Sequence, residues 1–87
     1  MTLRPGDRAV FRGLTARPDG SRGKLPPTIG VVVAASADGL VIRLRIGGVG
    51  SRHFAPKSRT CAPENVARLA TAREIFSGMV IDPLPTT

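Results

Sequence analysis

Residues 29–46 read IGVVVAASADGLVIRLRI, two apolar runs around a short polar centre, and no other stretch limits the fold as strongly. Asp38-Gly39 between the runs is a hairpin signal, because the turns that match the twist of two antiparallel strands need positive φ, which Asp-Gly tolerates. Beyond it Leu40, Ile42, Leu44 and Ile46 alternate with Val41, Arg43 and Arg45. Side chains along a strand point to opposite faces in turn, so the first set is expected in the core and the second opposite it. The run before the turn, residues 29–35, is almost wholly apolar, as in a strand covered on both sides. Gly30 inside it marks a bulge or a close backbone approach.

The rest of the chain is punctuated by Gly and Pro at the spacing of short strands. Pro5-Gly6-Asp7 is a turn signal leading into a first strand over residues 8–12, with Ala9 and Phe11 inward and Arg8, Val10 and Arg12 on a mostly basic face. Residues 13–27 are rich in Gly, Pro and basic side chains, with Leu14 and Leu25 as the large apolar positions, and read as a long excursion loop. After the hairpin, residues 47–51 form a glycine-rich tip. Residues 52–55 form a short fourth strand with Phe54 inward, which Pro56 ends, and residues 57–59 form a small basic loop. Residues 62–69 admit two readings. They fit a one-turn element over 63–65 feeding a barrel-closing strand, with a separate helix after Leu69. They also fit the opening of one helix running to Ser77, with Val66, Leu69, Ala72 and Phe76 on one face and Gly78 as the stop. The first is preferred. Residues 79–81 are apolar, and the prolines that follow dictate an extended tail.

A chain of 87 residues makes one small domain, which buries only about 60% of its unfolded surface, so the core is thin. With three Phe and neither Trp nor Tyr, that core is aliphatic. The expected division is a barrel over residues 1–70, its long loop at 13–27, and a C-terminal helix with extended tail over 71–87. The single cysteine, Cys61, excludes an internal disulfide, and no stretch approaches the ~18 apolar residues of a membrane span. A cytoplasmic protein with no membrane partner is the expectation.

The predicted fold is thus mainly β, about five strands, with a long loop after the first, a tight hairpin in the middle and a single turn before the last. That is the layout of a small SH3-like barrel. Within it Pro5-Gly6-Asp7 before a strand, Gly30-Val31-Val32, and the Asp38-Gly39 turn before residues 40–46 resemble the KOW motif of ribosomal and transcription-elongation proteins. The resemblance covers roughly residues 3–46 and implies a barrel that works on nucleic acid. Small SH3-like barrels are also similar to parts of bacteriophage head and tail structures, which implies a virion component.

The net charge of +7 favours anionic partners, although Arg-rich usage alongside Ala, Gly, Pro and Val is also what a GC-rich genome produces. Phosphate or other anion contacts are expected at Arg8, Arg12, Arg43, Arg45, Arg52, Lys57 and Arg59. Partner contacts are expected in the loop at Arg17, Arg22 and Lys24, and in the tail at Met79, Ile81 and Leu84. One His, one Cys and six scattered carboxylates offer no catalytic constellation, no metal-ligand spacing and no phosphate loop. His53 and Cys61 across the basic loop are the nearest approach to a reactive pair. No enzyme activity, cofactor or metal is expected, and without Tyr or Trp no polyproline groove can form. Three classes of function remain. The first is a structural or docking module contacting nucleic-acid phosphates or anionic surfaces within a larger assembly. The second is a virion head-tail joining or capsid-associated protein that forms homo-oligomers or joins other subunits through loop and tail. The third is a small inhibitor or regulator that binds an acidic protein surface.

Overall fold

The computed structural model describes residues 2–15, 23–47, 51 and 53–85. Its strands are β1 (Arg8–Phe11), β2 (Thr28–Ser36), β3 (Gly39–Ile46), β4 (His53–Phe54), β5 (Arg59–Cys61) and β6 (Val66–Leu69), with a 3-10 turn at Pro63–Asn65 and one short helix, α1 (Ala72–Ser77). All pairings are antiparallel, in the order β4-β3-β2-β1-β6, with β5 also on β3. Among the described residues no ladder joins β6 to β4 or β5, so the hydrogen-bonded sheet is open.

The anticipated turns are present. Pro5 and Gly6 form the corner that the Asp7 N–H closes onto the Arg4 carbonyl at 3.0 Å, with Gly6 at φ +95°. β2 and β3 pair through the Asp38-Gly39 hairpin, with a bulge that leaves Val33 out of register. Leu40 and Ile42 are buried as expected, together with Ala9, Phe11, Leu14 and Val32, and Leu44 packs against them. Ile46 is instead 46% exposed, because it lies at the far end of β3 where only β4 flanks it.

Gly30 shows the close approach. A Cβ there would stand 2.9 Å from Phe11 Cε2 and 3.2 Å from Leu44 Cδ2, both in the packed core. Gly30→Ala is therefore expected to destabilise the fold by about 1–3 kcal/mol, since overpacking forces neighbours off their rotamers, and a urea titration measures it.

Three expectations are corrected. The anticipated fourth strand is two strands along one edge of β3. Pro56 has no N–H to give the ladder, and the chain rejoins β3 at Arg59, so part of the expected basic loop is strand. Phe54 does not face the core. It stands opposite Arg45 in the ladder, hence on the arginine face, half-buried beneath Arg8. The run over 29–35 is covered on both sides only in its first part: Ile29, Gly30 and Val32 are buried, whereas Val33, Ala34 and Ala35, at the bulge and past it, are exposed; Val10, on the basic face as expected, is buried.

The one-turn element and the strand after it form as preferred, and the single long helix does not, since residues 66–69 pair with β1. The short helix is fixed at both ends. Thr71 Oγ1 accepts from the Glu74 N–H at 3.3 Å while Glu74 Oε1 accepts from the Thr71 N–H at 3.0 Å, a reciprocal cap. Gly78 ends the helix at φ +75°, where a Cβ would meet the Ser51 carbonyl oxygen.

Candidate docking interface

Directly opposed residues in a ladder share a face of the sheet. Arg8 and Arg43 both oppose Val31, Phe54 opposes Arg45, and Arg68 on β6 opposes Val10. The arginines of the first and third strands therefore belong to one surface, which Arg12 continues and Arg68 completes. That surface is crossed by the chain's own C-terminal segment.

The crossing is fastened by Arg68 and Glu74. The five N–H donors of Arg68 meet five acceptors: Glu74 Oε1 at 2.5 Å, Glu74 Oε2 at 2.8 Å, and the carbonyls of Leu69 (3.1 Å), Asp82 (2.7 Å) and Pro83 (3.2 Å). Glu74 is fully buried and also accepts from the N–H groups of Thr71 (3.0 Å), Ile81 (2.7 Å) and Asp82 (3.1 Å). The Arg68 guanidinium foremost, then these three N–H groups, hold the Glu74 carboxyl far below the ordinary carboxylate range, against the opposing effect of burial. Arg12 Nη1 donates to the Pro85 carbonyl at 2.9 Å, and the exposed Arg73 meets Asp82 at 3.4 Å. The proline-rich tail is thus tied down by its own domain.

The remaining expected contact residues have diverse settings. Arg43 Nε donates to the Ala55 carbonyl at 2.6 Å, Arg45 Nη1 to Ser51 at 3.1 Å, and Arg59 Nη1 to Thr15 at 2.9 Å. Arg8 is exposed, with Cζ 5.4 Å above the centroid of the Phe54 ring, a cation–π contact. Lys24 and Lys57 are exposed. Arg17, Arg22 and Arg52 lie outside the described residues. Of the tail positions, Met79 and Ile81 are exposed, beside Ile75 and a Phe76 that is 70% exposed, while Leu84 is half-buried.

Two clefts border this arrangement. One, of about 380 Å³, runs between Leu25, Pro26 and Thr28 on one side and Leu44, Ile46 and Ala55 on the other, with Arg45, Lys57 and Arg59 at its edge. Arg59 opposes Ile42 in the ladder, so its stem starts on the core face, and its Nε is buried without a hydrogen-bond partner. A larger hollow of about 600 Å³ lies near the 3-10 turn, where Glu64 is the charged wall and no described cation lines it.

The reactive-pair candidates are separated. His53 opposes Ile46 and Cys61 opposes Leu40, which at ~3.3 Å per strand residue puts them about 20 Å apart. Burial raises the Cys61 thiol pKa, offset in part by Arg59, so the thiol is not activated. Among the described residues no group of three or more His, Cys, Asp or Glu could hold a metal, and no helix is long and apolar enough to cross a membrane.

Sequence reasoning missed Arg68, Glu74 and the Ile75/Phe76 pair. The Thr71-x-x-Glu74 spacing of a capping box was the available signal for Glu74. Nothing in the sequence singles out Arg68 from the other arginines. No protein-family model, no curated protein and no solved structure matches this chain.

Proposed function

We propose that this protein is a non-enzymatic docking module, a small SH3-like barrel whose basic surface meets an anionic partner within a larger assembly. The observation that supports the reading is how the arginines are fixed. Arg68 and Arg73 pair with carboxylates, whereas Arg12, Arg43 and Arg59 donate to neutral backbone carbonyls. A carbonyl orients a guanidinium without neutralising it, so these side chains are ordered in advance and still project positive potential. Arg8, Lys24 and Lys57 are exposed as well, and this excess of positive charge suits an acidic protein face or a nucleic-acid backbone. The KOW resemblance of residues 3–46 favours the backbone, and the lack of exposed Tyr or Trp for stacking favours phosphate contact over base reading.

Titration with duplex DNA at two salt concentrations tests this. Three phosphate contacts predict an affinity loss of about 40-fold between about 50 and 200 mM salt, from a slope of ~0.9 per contact. Absence of binding to duplex DNA and to an acidic polypeptide at the lower salt would remove the anionic partner.

A second reading, a virion structural component, draws on the exposed Ile75, Phe76, Met79 and Ile81, which suit contact with another subunit. It predicts self-association by sedimentation at high concentration, reversed by Phe76→Ser. A monomer at all concentrations counts against a homo-oligomeric ring.

A further inference from the structure

We infer that the cleft between Leu25 and Leu44 is a binding site for an extended, acidic segment of a partner protein, one that carries an aliphatic side chain beside a carboxylate. The inference rests on the docking function proposed above and specifies its partner. Two independent features of the cleft point the same way.

The first is its composition. At about 380 Å³ it has the size of a ligand site, and Leu25, Leu44, Ile46 and Ala55 make its walls apolar. Ile46, which lines it, is 46% exposed. An aliphatic side chain fills such a space. A nucleobase does not, since no aromatic ring among the described walls offers a stacking surface.

The second is its charge. Lys57 and Arg59 stand at the edge, and no carboxylate lines the cleft among the described residues. Arg59 is held on one side by the Thr15 carbonyl, while its Nε is buried and lacks an acceptor. The Thr15 bond orients the guanidinium without neutralising it, so Arg59 and Lys57 keep their positive charge beside the cleft. A carboxylate is the group that complements the charge of both side chains. An extended segment reaches across the cleft while offering side chains to wall and edge in alternation.

The test is an NMR titration of the 15N-labelled protein at low salt with a blocked hexapeptide, Glu-Leu-Asp-Leu-Glu-Gly, and in parallel with a short duplex DNA. The expected result is saturable movement of the Leu25, Thr28, Ile46 and Ala55 amides. Lys57→Glu and Ile46→Ser, both at exposed positions, should each weaken the peptide about tenfold with the spectrum of the free fold preserved, and a peptide with Gly for both Leu should bind at least tenfold more weakly. Peptide-induced shifts confined to the Arg8 and Arg73 surfaces, or none at millimolar peptide, overturn the assignment. If the duplex binds while the peptide leaves the cleft unmoved, the cleft assignment falls and the docking function stands. If neither binds, both fall.

Discussion

Glu74→Gln is expected to destabilise the protein by about 3–5 kcal/mol, because it leaves the Arg68 guanidinium partly buried without its counter-charge. The substitution is isosteric, so packing is unchanged and the loss reports charge and hydrogen bonding. A carboxylate accepts at both oxygens, and here Oε1 takes two donors and Oε2 three. Gln turns one of those oxygens into an NH₂ group that faces N–H donors. The loss should appear first in the C-terminal segment, where the Ile81 and Asp82 amides lose their acceptor. Urea titration gives the magnitude, and amide exchange shows where it falls.

The same group sets an acid limb. The folded pKa of Glu74 is depressed, so its contribution is complete above the unfolded carboxyl pKa of about 4.3 and is lost as pH falls below it toward the folded value. The wild-type protein should therefore lose stability steeply below about pH 5, and Glu74→Gln should show a shallower limb over that range. Equal limbs would mean that the ion pair does not form in solution.

Phe11→Ala is the second large effect, with an expected cost of about 3–5 kcal/mol. Phe11 is fully buried and is the one aromatic ring in an otherwise aliphatic core. A domain of this size has roughly 4–13 kcal/mol of total stability, so the variant should melt tens of degrees lower or fail to fold at 37 °C. A milder change isolates the contact with Gly30. In a Phe11→Leu background the ring edge is gone, and Gly30→Ala should cost at least about 1 kcal/mol less than in the wild type. Additive costs would contradict the packing of the ring against the Gly30 backbone.

How far the sequence could be read follows from where the partners lie. The β2–β3 hairpin, its inward Leu40 and Ile42, the close approach at Gly30, the turn at Pro5-Gly6 and the Gly78 stop are local patterns, and all are present. The split of β4 and β5 was not legible, since Arg59-Thr60-Cys61 is too short to show alternation. The cover of the second sheet face was hidden for a different reason. Arg68, Glu74 and the carbonyls of Asp82 and Pro83 are joined by polar bonds between segments, which leave no hydrophobic period behind. The burial of Val10 on the basic face was not legible as a consequence, because alternation tells which residues share a face and not whether that face is covered. The cleft was not legible either, since Leu25 reads as a loop position and Leu44 as core until the long loop is placed beside β3.

The central claim is that the basic face of the sheet clasps the chain's own C-terminal segment and presents the remaining positive charge to a partner. Native-state amide exchange at neutral pH tests the clasp most directly. The Ile81 and Asp82 amides, bonded to the buried Glu74 carboxylate, are predicted to exchange with protection close to that of the Val10 and Val32 amides in the sheet, and to lose it selectively in Glu74→Gln. Exchange of both amides at the rate of an unfolded chain, while the sheet stays protected, would contradict the account.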